Sequence, residues 1–373
     1  MNKMLYVTNI HRDNADGIWN KIKYNLYSYQ RLGFEVSFAY RNDLSYSIEN
    51  GFNTDKSKET KIDCVHKDTY YYGLSKVVSN GNYDLVYIRK PIGGFSYAFL
   101  PYFLWCIKKN KNTKVILEIP TYPYKKEITT FRLHVSEFIL NVSKLFFTKN
   151  IDLIVYMGDY SESIWGRPSL RIANAIDLEH VKPVKKNLKP LGNAINFVGV
   201  ARLSFWHGYD RLIKAISSYK GGYKIRFKIV GDSEPEMSRL QELTKKLRVE
   251  NEISFVGAKS GDELNLIYSE SDVCVDSLGR HRSGSYYNSS LKSKEYAAKG
   301  LPFIKSHKDD SFNSTDFVYD VSADEGDIDL DAIIKWYQEL PVDTPMKMRA
   351  YAERHLSWDR QCETVISYLS QDK

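Results

Sequence analysis

At 373 residues the chain exceeds what one hydrophobic core usually supports, so two domains of about 150–200 residues are expected. A composition 43% hydrophobic and 27% charged excludes a disordered or fibrous chain, and the scattered cysteines Cys64, Cys106, Cys274 and Cys362 indicate neither a disulfide framework nor a zinc site. The net charge of +7 suits an anionic partner such as a phosphate, a nucleotide or an acidic membrane face, and nine Lys/Arg against three Glu over residues 96–150 place +6 of it in one segment.

The opening MNKMLYVTNI lacks the apolar core and cleavage site of a signal peptide, and the longest apolar run, 95–107, is too short to span a bilayer. A reducing cytoplasm is the expected location. The first predicted elements are a strand at 4–8, the loop HRDNADG, a helix at 18–32 and a strand at 35–39, which make a βαβ unit. Gly17 ends that loop where backbone N–H groups can approach an anion, although a glycine there also serves simply to turn the chain. No G-x-G-x-x-G follows this or any other strand, so a dinucleotide fingerprint is absent.

The runs DLVYI (84–88), VILEI (115–119) and DLIVY (152–156) continue a doubly wound α/β pattern to about residue 177. ANAIDLEHVKPVKKNLKP reads as a linker, after which the pattern restarts. It predicts strands at 195–200, 225–230, 253–256, 272–275 and 301–305, with helices at 208–218, 236–247 and 290–298.

Two stretches carry chemistry. In VGVARLSFWHGYDRLIKAI a strand delivers Arg202 just past its carboxyl end, where open α/β sheets bind ligands and where an arginine can grip a phosphate with two N–H groups. His207 and Gly208 then lead into the next helix. In GRHRSGSYYNSSLKSKEYAAKG the cations Arg280, Arg282 and Lys292 accompany Asn288, Ser289, Ser290 and Leu291 at a helix start, an arrangement suited to a phosphate or diphosphate. Glu295, one turn inside, suits the two hydroxyls of a ribose. The competing reading is a solvated basic face in which Glu295 pairs with Lys292 or Lys299 at helical spacing.

These residues resemble the retaining, nucleotide-sugar-dependent glycosyltransferases of family four, which have the GT-B fold, and especially bacterial enzymes that build capsule, O-antigen or other surface polysaccharides. The likeness runs through Gly17, DLVYIRKPIGGFSYAFLP, VILEIPTYPY, ANAID, VGVARLSFWHGYDRLIKAI, FKIVGD, ISFVGAKSGDEL, SLKSKEYAAKGLPFI and LSWDRQCETVISYL. It implies an α/β architecture of two Rossmann-like doubly wound domains facing a cleft. Residues 1–177, with a helix at 356–373 packing back on them, would bind the acceptor; residues 178–355 would bind the nucleotide sugar.

The reaction so implied moves a sugar from a nucleoside diphosphate sugar to a hydroxyl of a growing surface glycan with retention, as a hexosyltransferase. The resemblance puts Arg202, Glu295 and Lys292 at the reaction, with Gly17, His207, Arg280, Arg282, Asn288, Ser289, Ser290 and Leu291 around the donor. His207 stands where the family often has a lysine and Tyr287 where it often has a first glutamate. Those departures motivate an alternative, a catalytically weak or inactive GT-B protein that binds a partner enzyme or a glycan.

On the acceptor side Arg89, Glu118 and Tyr122 sit at or beyond strand ends, with Glu118 placed to orient an acceptor hydroxyl or, equally, buried in a pair with Arg89. No metal or other cofactor is expected, and the lone Asp-x-Asp, Asp327-Ile328-Asp329, reads as solvated surface. The +6 segment interleaves its cations with Phe99, Tyr102, Phe103, Trp105, Tyr124, Phe131, Phe146 and Phe147, a composition suited to the inner face of a membrane and to a lipid-linked acceptor. No nucleic-acid module is visible.

Overall fold

The computed structural model describes residues 2–12, 17–42, 45–62, 64, 66–78, 81–91, 95–124, 128, 130–184, 186–284 and 286–371. The chain forms two compact units, Met1–Ala173 with Trp358–Lys373, and Asn174–Ser357.

The first unit runs β1 (Asn2–His11), α1 (Gly17–Arg31), β2 (Phe34–Asn42), β3 (Ser45–Asn50), β4 (Lys58–Ile62), α2 (Tyr70–Val78), β5 (Leu85–Arg89), α3 (Leu100–Ile107), β6 (Lys114–Tyr122), α4 (Phe131–Phe147), β7 (Leu153–Gly158), β8 (Ser163–Ile164) and β9 (Arg167–Arg171). The sheet order is β4-β3-β2-β1-β5-β6-β7-β9-β8. From β2 to β9 neighbours are parallel, whereas β3, β4 and β8 join antiparallel at the edges. The edge strands escape the sequence reading for a physical reason: β4 is exposed except at Ile62 and β9, RPSLR, is half-buried throughout, so neither shows apolar alternation.

Period-2 alternation sorts the side chains of this sheet onto two faces. Leu5, Val7, Val86, Ile88, Val115, Leu117 and Ile119 form one core with residues of α2, α3 and α4. The opposite face is rich in tyrosine: the rings of Tyr6 and Tyr87 stack at 4.8 Å and Tyr29 of α1 lies 6.0 Å from Tyr87.

The second unit runs β10 (Ala194–Val200), α5 (Tyr209–Ser218), β11 (Lys224–Val230), α6 (Glu236–Leu247), β12 (Ile253–Phe255), α7 (Gly261–Glu270), β13 (Val273–Val275), α8 (Leu291–Lys299), β14 (Phe303–Lys305), β15 (Val318–Asp320), α9 (Leu330–Glu339) and α10 (Thr344–His355). All its strand pairs are parallel, in the order β12-β11-β10-β13-β14-β15. Ile195, Phe197, Phe227, Ile229, Val273 and Val275 face one core, and Val198, Val230 and Cys274 face the other, as a sheet covered on both sides requires. The last helix, α11 (Trp358–Gln371), belongs to the first unit: it packs on α1, Arg31 pairs with Asp359 at 2.7 Å, and Cys362 is buried beside Asn25.

Candidate functional site

In the second sheet the strand order reverses between β10 and β13, whose chains cross outward in opposite senses and leave a crevice at their carboxyl ends. Arg202 follows β10 there; its side chain is exposed and has no hydrogen bond or ion pair among the described residues. The chain next makes a short helical turn, Phe205–His207, and Gly208 closes it in the left-handed region at φ +64°. A Cβ on Gly208 would lie 2.4 Å from the backbone nitrogen of Gly279, so glycine is required for the loop after β10 to rest on the loop after β13. The Leu278 N–H donates to the His207 carbonyl at 2.8 Å and completes the clasp. Gly208 is thereby the residue before α5, which starts one residue later than the periodicity predicts.

His207 is not a substitute cation. Burial, and then the positive charge of Lys292, lower its pKa to about 3, and its Nδ1 accepts the Ser204 N–H at 3.1 Å. The ring is therefore neutral with its proton on Nε2, a hydrogen-bond donor without charge.

The basic loop proves to be largely neutralised from within the second unit. All five N–H groups of Arg282 are satisfied: Nε and Nη2 bind Glu325 at 2.7 Å each, Nη1 and Nη2 bind Asp210 at 2.7 and 3.0 Å, and Nη1 reaches the Phe205 carbonyl at 3.1 Å. In this arrangement Arg282 clamps α5 to the turn before α9, with its donors directed to Asp210, Glu325 and the Phe205 carbonyl. His281 Nε2 lies 2.7 Å from the same Glu325. Arg280 is half-buried with its guanidinium over the Trp206 ring at 5.9 Å.

Asp276, immediately after β13, is the functional-looking group that sequence reasoning missed. It is fully buried. Burial raises its pKa, but Lys292, His307 and serine hydroxyls outweigh that and hold the carboxylate far below the ordinary range. Its oxygens receive the Ser277 N–H at 2.7 Å and the Ser293 hydroxyl at 2.5 Å, and Lys292 Nζ lies 3.1 Å away. The only sequence signal was an Asp-Ser ending the strand DVCVDS.

Around the start of α8, Ser289 is occupied with Asn174, taking its N–H on Oγ at 3.0 Å and its side-chain amide on the carbonyl at 2.6 Å. Asn288 donates its N–H to the Lys308 carbonyl, which places it and Tyr287 beside the chain after β14. Ser290 is the N-cap but its side chain makes no capping hydrogen bond, and Leu291 opens the helix 36% exposed, so among the described residues the first turn of α8 carries no N-cap side-chain bond. Glu295 lies 3.8 Å from Lys299 at i,i+4, the pairing of the competing sequence reading. Its side chain is 31% exposed, and burial pushes its carboxyl above the usual range against the pull of Lys299.

In the first unit the acceptor-side residues separate. Arg89 and Glu118 form a buried ion pair across β5 and β6, and Tyr6 donates to Glu118 at 3.3 Å, so Glu118 is a structural carboxylate and not one open to an acceptor hydroxyl. Beside them burial, then the charge of Arg89, lowers the Lys21 pKa to about 7. Tyr122 ends β6 and lines a cavity of about 580 Å³ with Tyr124, His134, Glu137, Lys144 and Trp165. Gly17 is the first residue of α1; of the rest of the proposed anion loop, His11 ends β1, Arg12 follows it, and 13–16 lie outside the described residues.

Asp329 caps α9 by accepting the Ala332 N–H at 2.9 Å, which gives the Asp-x-Asp a structural use. Asp177, Glu179 and His180 bring three ligand atoms within 4.8 Å, but Asp177 Oδ1 already accepts the N–H groups of Glu179 and His180 as a turn cap. No helix among the described residues is long and apolar enough to cross a membrane.

No curated protein sequence matches the chain. Among solved structures it is similar to the sucrose-phosphate synthase of Thermosynechococcus elongatus, at TM-score 0.62 and 14% identity over 100% of both chains. It is also similar to Anabaena HepE in complex with UDP, at 0.60 and 13% over 100% of both, and to the lipopolysaccharide outer core galactosyltransferase WaaB, at 0.57 and 12% over 99% of both. Residues 183–278, which hold β10 to β13 and Arg202, match the family model described as Glycosyl transferases group 1, and the chain as a whole has the GT-B fold.

Proposed function

We propose that the protein transfers a hexose from a nucleoside diphosphate sugar to a hydroxyl of a growing surface glycan, with retention at the anomeric carbon. The observation that carries this reading is the set of groups at the β10–β13 reversal, inside and just beyond the region matching the glycosyltransferase model. As the bond from sugar to diphosphate breaks, negative charge develops on the departing phosphate. Arg202 and Arg280, Lys292 held in place by Asp276, and the uncapped start of α8 are the groups to receive it, with Glu295 on the ribose hydroxyls. Each charge-assisted contact is worth about 1.5–3 kcal/mol, enough for several to stabilise a diphosphate without a metal. HepE was solved with UDP, which favours a uridine nucleotide as the first to try.

A panel of UDP-, GDP- and dTDP-sugars tests the proposal. One of them should raise the unfolding temperature and be consumed when acceptor is added, with and without EDTA, and Arg202→Ala or Glu295→Ala should cut turnover about ten- to a hundredfold. Full turnover in both variants would sink the site assignment.

The neutrality of His207 favours one second reading, a GT-B protein that binds a glycan or partner enzyme without catalysis. Absence of binding to the whole panel at millimolar concentration selects it.

A further inference from the structure

Helix α4 hides its hydroxyls and shows its hydrocarbon. Ser136, Leu140, Ser143 and Phe147 are buried, whereas Phe131 is 85% exposed, Phe138 68%, Leu145 79% and Phe146 62%. The spacing from Phe131 to Phe138, Val142 and Leu145 keeps these side chains on one helical stripe. The one acid of α4, Glu137, is half-buried and accepts the Tyr124 hydroxyl at 3.2 Å, so the stripe itself carries no negative charge.

Helix α3 packs beside α4, and both contribute to the same core over the sheet. Its outer side exposes Tyr102 and Trp105, stacked at 5.9 Å, and Tyr102 lies 5.8 Å from exposed Tyr72 of α2. Lysines sit on these rings: Lys76 lies 4.6 Å from the centre of Tyr72 and Lys109 lies 4.4 Å from that of Trp105. Lys111, Arg132 and Lys149 add exposed positive charge.

We propose that the outward faces of α3 and α4 dock the first unit on an anionic lipid surface. Rings with adjacent lysines match the headgroup layer, where the apolar body and the cation are both satisfied, and the Phe and Leu stripe matches the acyl boundary beneath it. The charge selects this occupant over a second copy of the chain, because a two-fold contact would set the cations of one patch against the same cations of the other. The inference rests on this surface alone and not on the reaction proposed above.

Flotation of the full chain with vesicles of phosphatidylcholine, with and without phosphatidylglycerol, tests it, together with sedimentation velocity in the absence of lipid. The wild type should float with the phosphatidylglycerol vesicles and much less with phosphatidylcholine alone. Combining Phe131→Ser, Phe138→Ser, Leu145→Ser and Phe146→Ser should lower that binding about tenfold or more, with an unchanged unfolding temperature because the side chains are exposed. A wild type that stays unbound, or a variant that floats equally well, overturns the proposal. So does a wild-type dimer that the variant dissociates while neither form binds vesicles. Thermal shifts by sugar nucleotides stay the same in every case, which keeps this test separate from that of the reaction.

Discussion

Arg282 illustrates how local charge misleads at the residue scale. Its neighbours in sequence suggested a phosphate cradle, but its partners Asp210 and Glu325 come from 72 residues before and 43 after. Asp210 is buried and would keep Arg239 at 3.3 Å and Lys214 at 3.7 Å while losing both direct hydrogen bonds from the arginine, so Arg282→Ala should lower stability by about 1–3 kcal/mol in denaturant unfolding. Arg282→Lys should recover little, because one ammonium cannot serve two carboxylates and a carbonyl in a fork; full stability in the lysine variant would refute the clamp. His207 allows a test by pH. Its pKa falls from 6.5 in the unfolded chain to about 3 in the fold, so the unfolded state takes up the proton first. Its contribution is complete above about pH 6.5 and is lost as pH falls from there toward 3. In His207→Asn, whose side-chain oxygen can still accept the Ser204 N–H, the slope of stability against pH between 4 and 6 should be shallower, by up to about 1.4 kcal/mol per unit. Equal slopes would show that the imidazole is solvated. Neither property was legible in the sequence, since a pairing across tens of residues and a desolvated ring are facts of packing.

At the scale of elements, β13, α8 and β14 are joined by buried ions and not by apolar contact alone. Asp276 ties β13 to α8 through Ser293 and Lys292, and Lys294 of α8 pairs with Asp309 beyond β14, both side chains fully buried. Such a pair contributes little net stability against an apolar replacement, yet breaking it is expensive. Lys294→Met should therefore destabilise by about 3–5 kcal/mol, and adding Asp309→Asn, which keeps an acceptor for the Ser311 N–H, should restore most of it. If the double variant is no better than the single, the pair is not the cause. This also explains which elements the sequence revealed. The buried parallel strands and α6 stand out as apolar runs and 3.6-residue periods, and α8 announces itself by the serines before it, whereas β4 and β9, at and next to the edges of the sheet, have no face buried enough to pattern the chain.

For the whole molecule the excess charge divides by role. In the second unit most cations of the basic loop have a carboxylate of their own, whereas Arg202 has no ion pair among the described residues; in the first unit, exposed cations surround exposed rings. A nucleotide should consequently be felt by the second unit's crevice. At a hundredfold excess over its Kd a bound sugar nucleotide stabilises the folded state by about 2.7 kcal/mol. Amide hydrogen exchange should place the protection in residues 201–209 and 276–295, because the N–H groups at the start of α8 and in the clasped loops become acceptor-bonded. The segment around α4 should exchange at an unchanged rate, since its side chains address a different surface. The same experiment on Arg202→Ala should lose the protection at matched nucleotide concentration and regain it only when the nucleotide is raised about ten- to a hundredfold, as expected for loss of one charge-assisted contact. Protection confined to the first unit, or protection in the second that is indifferent to Arg202, would move the nucleotide site away from the β10–β13 reversal.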